Sequence, residues 1–193
     1  MSEHMALENL TVLDLTRVLA GPFCTMMLAD MGANVIKIEV PKGGDDTRSY
    51  PPFRAKNLNG ERESVYFANI NRNKKGITLN LKAPEGKEIF KELVKKADIV
   101  VENYRPGVMD KLGLGYDVLK EINPRIIYAA VSGFGCYGPY HLRPGYDILA
   151  QAMGGMMSIT GSKGGEPTRA GSALGDILGG LHVTIGILAA VNA

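Results

Sequence analysis

The sequence predicts an α/β fold, in which helices flank a parallel sheet, and three observations support this prediction. Short apolar, β-branched runs alternate along the chain with helical segments, which is the order of βαβ units. The composition, 45% hydrophobic and 22% charged residues, is ordinary for a globular domain. A length of 193 residues fits one domain with a substantial buried core.

Five runs have the residue types that are typical of strands, and glycine or proline marks the turns after several of them. The first run, a helix and the second run form a βαβ unit, so we expect neighbouring strands to be parallel. The fifth run is predominantly apolar, which favours a central position in the sheet. In chain order, the predicted strands are residues 11–15, 34–39, 76–81, 98–103 and 124–132.

The clearest predicted helix spans residues 84–96, with Pro84 at its start and lysines in its last turn. Its apolar positions predict that Ile89, Leu93 and Phe90 face the sheet. Residues 40–73 form a long irregular section, which in a compact domain is usually functional or mobile. Further helices are predicted at residues 23–31, 108–112, 116–122 and 145–158, and from about residue 175 onward.

Charge and cysteine content limit the class of protein. A net charge of +2 gives no electrostatic reason to expect a nucleic acid or a membrane as a partner. Cys24 and Cys136 lie far apart without a metal-ligand pattern, so we expect a cytoplasmic protein without a disulfide or a metal site. Residues 1–6 are interpreted as a tail, in which Met5 after His4 resembles a cloning scar. The apolar segment 177–191 is interpreted as a buried helix.

One carboxylate near the end of the chain, Asp176, lies among small and apolar residues. Gly175 precedes it, Gly179 and Gly180 follow it, and an apolar helical run continues from there. Exposed amides at a helix start can stabilise a carboxylate, and glycines let a large ligand approach the backbone. Asp176 is therefore a candidate nucleophile or acid–base group. The alternative is a helix N-cap, a position where aspartate is common.

Three other patterns give weaker predictions. The turn after the first strand has only Gly21 where a dinucleotide fingerprint needs three glycines, so nicotinamide or flavin binding with Glu39 on the ribose is disfavoured. The four cations of residues 72–82 fit a polyphosphate site and a solvated face about equally well. His182, on an apolar helix, is expected to be a core histidine.

Eight short motifs occur in an order and spacing that match a known enzyme family over residues 7–193. They are residues 12–16, 20–22, 32–39, 71–75, 97–107, 122–125, 143–147 and 173–176. On these motifs the sequence resembles the family III CoA-transferases (the CaiB/BaiF group), which include formyl-CoA transferase, the carnitine CoA-transferases and the α-methylacyl-CoA racemases.

The resemblance implies a Rossmann-like large domain with Asp176 as the catalytic nucleophile. In that family the aspartate attacks an acyl-CoA thioester to give a mixed anhydride, and the released CoA thiolate then forms an aspartyl-CoA thioester. The acceptor carboxylate reverses these two steps and leaves as the new acyl-CoA. Coenzyme A is therefore expected as a substrate and not as a tightly bound cofactor. By position, the family's CoA contacts fall on Leu19, Ala20, Leu79, Lys82, Asn103, Tyr104, Lys111 and Tyr146.

Two positions depart from subgroups of the family. Formyl-CoA transferases carry glutamine where this chain has Leu19, which weakens the expectation of oxalate or formate. Racemases carry histidine where this chain has Tyr146, and a two-base proton exchange needs that second base. We therefore expect an acyl-CoA:carboxylate CoA-transferase. An α-methylacyl-CoA racemase and a non-catalytic CoA-binding fragment are the alternatives.

The length of the chain adds a last expectation. Chains of the family continue into a small domain and a return segment, and two such subunits interlock. Residues 7–193 are therefore expected to be the N-terminal part of the large domain, truncated from a protein that forms a homodimer. Alone, this part is expected to be inactive, because water exclusion and loop closure are lost.

Overall fold

The computed structural model of the protein describes residues 4–54, 60 and 62–193. The strands are β1 (Thr11–Asp14), β2 (Asn34–Glu39), β3 (Lys75–Thr78), β4 (Ile99–Glu102) and β5 (Ile127–Ala130). They form one sheet in the order β3-β2-β1-β4-β5, and every neighbouring pair is parallel. This is the strand order of a doubly wound fold, so the predicted α/β class is confirmed.

The helices lie close to their predicted positions, with three differences. The segment predicted as one helix at residues 145–158 is divided into the α-helix Asp147–Met153 and the 3-10 helix Met156–Ile159. The section 40–73, predicted to be irregular, contains a helix from Val65 to Ile70 and the 3-10 helix Asp46–Ser49. Residues 55–59 and 61 of that section lie outside the described residues. The α-helices are α1 (Ala20–Asp30), α2 (Val65–Ile70), α3 (Pro84–Val94), α4 (Val108–Leu112), α5 (Tyr116–Ile122), α6 (Asp147–Met153) and α7 (Leu174–Val191).

Successive residues of the central strands point into two separate cores. Val12 and Ile99 pack with α1 and α7 on one face of the sheet. Leu13 and Val100 pack with α3 and α5 on the other face. Because the side chains of a strand alternate in direction, the continuous apolar runs of β1 and β4 fill both cores at once.

The prediction that Ile89 faces the sheet is wrong. Ile89 is 51% exposed, whereas Phe90 and Val94 are fully buried. The close contact of α3 is made by Gly86, where an added Cβ would lie 2.1 Å from the carbonyl oxygen of Asn80. Because Gly86, Phe90 and Val94 follow one another at four-residue spacing, they define the buried face of the helix.

Two further expectations need correction. β5 lies at the edge of the sheet formed by the described residues, and not at its centre. α7 is buried only along the stripe Gly180, Thr184 and Ile187, while His182 is exposed and lies near the Leu178 carbonyl oxygen (Nδ1···O 2.8 Å). Among the described residues, α7 is the helix whose length and apolar composition would suffice to cross a membrane. In this structure its buried stripe packs against α1 and β5.

Glycines set the distances between the elements around α7. An added Cβ on Gly180 would lie 2.4 Å from the carbonyl oxygen of Ala20 in α1. An added Cβ on Gly175 would lie 2.9 Å from the Cβ of Ala150 in α6. The two helices therefore approach α7 at positions where any larger residue would push them away.

The N-terminal residues and the cysteines complete the description. Residues 1–3 of the predicted tail lie outside the described residues, and Met5 lies against Gly32. Cys24 is buried and Cys136 is exposed, and both are free thiols in this structure. The described residues contain no group of side chains that could hold a metal ion.

Candidate active site

A cavity of about 530 Å³ opens at the carboxyl end of the sheet. The segments after β1 and β4 line it, and these are the two neighbouring strands at which the chain changes direction across the sheet. Ligands of doubly wound folds bind at this switch point, because the loops after the two strands separate there. The loop after β5, the start of α6 and the first turn of α7 complete the wall.

The cavity collects most of the site residues predicted from the sequence. Leu79, Lys82 and Lys111 are not among the residues that line it, so the structure does not bring these three together with the others. The predicted residues that line it are Leu19, Ala20, Asn103, Tyr104, Tyr146 and Asp176.

Asp176 lies in the first turn of α7, half-buried at the cavity wall. The N-cap position is occupied by Ala173 and carries no side-chain cap, so Asp176 is not the helix cap. Within the described part of the chain, no hydrogen bond to its carboxylate is present. Burial, and secondly the charge of Asp147, raise the pKa of Asp176 above its ordinary value. An unpaired carboxylate with raised pKa is more basic and better able to attack an electrophile than an ordinary aspartate.

Asp147, at the start of α6, accepts a hydrogen bond from a backbone amide in the first turn of α7, a role that Asp176 does not fill. Its Oδ1 accepts a hydrogen bond from the backbone N–H of Gly175 at 2.8 Å, and its Oδ2 accepts one from Gln151 Nε2 at 2.7 Å. The same Gln151 accepts a hydrogen bond from the N–H of Ala170 at 2.9 Å. Since α6 supplies the acceptor for the helix amide, the carboxylate of Asp176 remains available to a ligand.

The turn between β1 and α1 is fixed to the segment after β4. The N–H of Arg17 donates to Asn103 Oδ1 at 2.9 Å, and Asn103 Nδ2 donates to the Arg17 carbonyl oxygen at 2.7 Å. Both loops therefore hold one geometry at the mouth of the cavity. Asn103 makes these bonds with its side-chain amide, so a ligand at this point meets an amide that is already paired.

Glu102, the last residue of β4, lies buried directly before Asn103. Its Oε2 accepts a hydrogen bond from the N–H of Tyr104 at 2.7 Å, and the hydroxyl of Tyr128 donates to its Oε1 at 3.2 Å. Burial raises the pKa of Glu102 to about 7, and these hydrogen bonds only partly oppose that effect. Glu102 therefore changes its charge near neutral pH beside the cavity wall.

Most cations of the basic stretch are engaged within the protein. Arg72 pairs with Asp30, Lys74 pairs with Asp14 at 3.0 Å in the interior, and Lys75 donates to Asn34 at 2.7 Å. Three of the four cations counted in the sequence thus have partners, which argues against a polyphosphate site there.

Glu39, the acidic residue that would bind the ribose of a nicotinamide or flavin dinucleotide, is engaged by other groups of the protein. The carboxylate of Glu39 is held by Arg48 at 2.6 Å and accepts a hydrogen bond from the N–H of Asp45 at 2.7 Å. A ribose would have to break both interactions, so the structure does not favour a dinucleotide at this point.

Three residues near the site were not singled out from the sequence. Burial, and secondly the charge of Asp176, raise the pKa of Tyr66, so its hydroxyl lies within electrostatic reach of the carboxylate. Ser132 lines the cavity with a buried hydroxyl that has no hydrogen-bond partner among the described residues. Arg143 lines the cavity with its guanidinium over the Tyr140 ring, 4.1 Å from the centroid. Arg143 lies in one of the matching motifs, which was the available signal.

Comparisons with known proteins identify the family of the chain. The sequence matches CoA-transferase family III over residues 7–193. A succinyl-CoA:glutarate CoA-transferase of Homo sapiens is 48% identical over 98% of this chain and 42% of its own length. An acetyl-CoA:oxalate CoA-transferase of Acetobacter aceti is 50% identical over 96% of this chain and 46% of its own. The crystal structure of a CaiB/BaiF family protein from Brucella suis superposes with a TM-score of 0.93 at 45% identity, over 98% of this chain and 50% of that one.

These matches show that the chain belongs to CoA-transferase family III, the family that its motifs resemble. The similarity to the Brucella suis structure also confirms the predicted Rossmann-like large domain. The chain spans about half the length of the curated relatives that it matches.

Proposed function

We propose that the protein is an acyl-CoA:carboxylate CoA-transferase in which Asp176 is the covalent nucleophile. The observation that carries the proposal is the carboxylate of Asp176, which is half-buried and unpaired among the described residues. It lies at the wall of a cavity at the carboxyl end of the sheet, where doubly wound folds bind their ligands. Relatives that are 48% and 50% identical to this chain over the aligned residues are named as CoA-transferases, which supports the same reaction class.

The proposed reaction begins when an oxygen of Asp176 attacks the thioester carbonyl of the donor acyl-CoA. The carbon–sulfur bond breaks, and the products are a mixed anhydride and the CoA thiolate. The thiolate then attacks the aspartyl carbonyl of the anhydride, which releases the donor carboxylate and leaves an aspartyl-CoA thioester. The acceptor carboxylate repeats the two steps in reverse and leaves with CoA, so Asp176 is regenerated.

Developing oxyanions need backbone N–H donors, and we propose that the first turn of α7 provides one. The N–H groups of Leu174 and Ile177 donate to the carbonyl oxygens of Ser172 and Ala173, so among the described residues the N–H of Asp176 is the first-turn amide left for an oxyanion. Asp147 holds the N–H of Gly175 at 2.8 Å, so that amide positions the helix and is not free for an oxyanion.

We propose a dicarboxylic acid as the acceptor class. The names of two relatives contain glutarate and oxalate, both of which have a second carboxylate. Arg17, Arg105 and Arg143 line the cavity and can balance a second negative charge as well as the CoA phosphates. A screen of acyl-CoA donors against mono- and dicarboxylic acceptors distinguishes the classes, and a preference for monocarboxylic acceptors would exclude this one.

The test of the nucleophile uses the full-length protein. Asp176→Asn keeps the size of the side chain but cannot form the anhydride, so we expect transfer to fall by at least about a thousandfold. Hydroxylamine should inactivate the wild-type protein only when acyl-CoA is present, because it attacks the aspartyl thioester, releases CoA and leaves a stable aspartyl hydroxamate in place of Asp176. Asp117→Asn, a change on α5, is the matched control and should leave both results unchanged. Transfer retained by Asp176→Asn would reject the nucleophile.

The racemase alternative lacks its second base. Tyr146 is 69% exposed in the position where that base would lie. Deuterium exchange at the acyl α-carbon in heavy water, without acyl transfer, would favour a racemase over the transferase.

We also propose that residues 1–193 alone do not catalyse transfer, and that the full-length protein is an interlocked homodimer. Exposed apolar side chains such as Tyr137, after β5, and Ile148, in α6, lie in the segments that form part of the cavity wall, so we expect a further part of the full-length protein to cover this wall and exclude water. A site open to water hydrolyses anhydrides and thioesters. Transfer by the isolated 193-residue chain would contradict the first statement, and a monomeric full-length protein in sedimentation would contradict the second.

A further inference from the structure

The turn between β1 and α1 forms part of the cavity wall, and one of its residues, Val18, has a backbone conformation that valine rarely adopts. Val18 has a φ of 68°, in the left-handed region that β-branched residues rarely adopt. Such a conformation persists only where the surrounding structure fixes it. Leu19 and Ala20 follow at once and line the cavity, so the shape of this turn determines the shape of the wall.

A buried ion pair lies behind this turn. Lys37 of β2 and Asp45 are 2.9 Å apart, and their side chains are 2% and 1% exposed. Lys37 Nζ also donates a hydrogen bond to the Thr16 carbonyl oxygen at 2.8 Å. Asp45 Oδ1 accepts a hydrogen bond from the N–H of Val18 at 3.2 Å. The pair therefore holds the backbone of the turn on both sides of Arg17.

The carboxylate of Asp45 stays ionised inside the protein. Burial alone would raise the pKa of Asp45, but the Lys37 ammonium and hydrogen bonds from Thr47 and Lys37 hold that pKa below its ordinary value. A buried ion pair gives little net stability compared with apolar side chains of the same size. Stability alone therefore gives no reason for charged side chains at these positions, whereas hydrogen bonds to the Thr16 carbonyl and the Val18 amide do.

Neither residue can touch a ligand directly. Both side chains are covered, and neither residue is among those that line the cavity. Their effect on a ligand must pass through the turn that they hold. Asn103 holds Arg17 from the other side, so the turn is fixed between the segment after β4 and this pair.

We propose that Lys37 and Asp45 are positioning residues, which keep Val18 in its left-handed conformation so that Leu19 and Ala20 fit the bound acyl-CoA. The proposal rests on the proposed function, because the ligand is taken to be acyl-CoA. Loss of the pair should weaken the binding of acyl-CoA more than it slows the chemical step, since Asp176 is held separately by α6 and α7.

The experiment compares steady-state kinetics of full-length variants. Lys37→Met removes the charge and the hydrogen bonds but keeps an unbranched side chain, and we expect KM for acyl-CoA to rise about tenfold or more with a smaller change in kcat. Val18→Gly in the same background should lower KM again, because glycine adopts a positive φ without steric cost. Leu119→Ala, which opens a core on the opposite face of the sheet, is the control for lost stability and should leave KM unchanged.

The outcomes separate this proposal from the proposed function. An unchanged KM in folded Lys37→Met, or an equal rise in Leu119→Ala, would overturn the positioning role. If Lys37→Met does not fold, the double variant Lys37→Met with Asp45→Leu replaces it, because it removes both hydrogen bonds to the turn without leaving an unpaired buried charge. The KM of this variant should rise as well, and an unchanged KM would also overturn the positioning role. A wild-type protein without transferase activity would contradict the proposed function instead. Calorimetry with CoA on the wild type and on Lys37→Met then measures the effect of the pair on binding without catalysis, and Lys37→Met should bind CoA more weakly.

Discussion

Asp147 is a residue whose effect on Asp176 can be separated into geometry and charge. Asp147→Asn removes the negative charge that raises the pKa of Asp176, while an amide oxygen can still accept from Gly175, at the cost of the bond from Gln151. The pKa of Asp176 should therefore fall, although burial, the larger cause, remains. The acid limb of kcat/KM should move to lower pH, measured between about pH 4 and 8 in the full-length protein. An acid limb that stays in place would show that Asp147 does not influence the pKa of Asp176.

Glu102 gives a prediction about stability and pH. Its pKa is about 7 in the folded protein against an ordinary value of 4.5, so the folded state holds the proton more tightly than the unfolded state. The resulting stabilisation is complete below about pH 4.5 and is lost as pH rises through about 7, with a size on the order of 3 kcal/mol.

Glu102→Gln mimics the protonated carboxyl and should abolish this loss. Relative to the wild type, the variant should gain stability between pH 5 and pH 8, measured by urea unfolding at both values. Groups with lowered pKa, such as Asp14 and Asp45, act in both proteins and cancel in the comparison. Equal changes of stability with pH in the two proteins would contradict the role of Glu102.

At the scale of elements, the contact between α1 and α7 depends on one missing side chain. Gly180→Ala would place a Cβ 2.4 Å from the backbone oxygen of Ala20, so the helices must separate. We expect a loss of about 1–3 kcal/mol in the free energy of unfolding. Gly186→Ala is the matched control on the same helix, because nothing lies within 4 Å of the added Cβ. It should stabilise the protein by up to about 1 kcal/mol through helix propensity. Equal changes in the two variants, measured by thermal unfolding, would show that the contact carries no weight.

The elements that the sequence predicted well are those whose pattern is local. Strand positions followed from apolar runs, and α3 followed from its terminal residues. The rotation of α3 did not, because Gly86 sets it by contact with Asn80 and a glycine carries no apolar signal. α2 was missed because its six residues include Val65, Phe67 and Ile70, which are typical of strands.

The same limit applies to the site. Asp176 was a candidate because of its glycine neighbours and because it lies in a motif of the family that the sequence resembles. The role of Asp147 depends on α6 meeting the start of α7, and the pair of Lys37 and Asp45 depends on a loop folding back over β2. A lysine in a strand is normally a sign of an exposed position, so burial of Lys37 could not be predicted from residue type.

At the scale of the whole molecule, apolar surface is unevenly distributed. Among the described residues, ten of the seventeen exposed large hydrophobic side chains lie beyond residue 136. The most exposed of these are Tyr137, Ile159 and Leu142. Apolar side chains exposed in such numbers in one part of a chain favour association.

The isolated 193-residue chain should therefore associate with increasing concentration, as sedimentation would measure. Ile159→Glu with Leu142→Glu should reduce the association without lowering the melting temperature, because both side chains are exposed. Ile89→Glu, an exposed site on α3, is the control and should change the association little. A chain that stays monomeric at all concentrations would contradict the prediction.

The position of Ile187 has a consequence for the order in which the protein is made. Ile187 of α7 completes the core that contains Val12 and Leu28, although roughly 160 residues separate it from α1. At typical rates of synthesis, about 8 to 30 seconds pass between the emergence of Leu28 and that of Ile187 from the ribosome. For that time one face of the sheet has strands and α1 but lacks its covering helix. Until Ile187 has emerged, the apolar residues of this core stay uncovered, and the first turn of α7, which carries Asp176, has no packed helix to hold it in place.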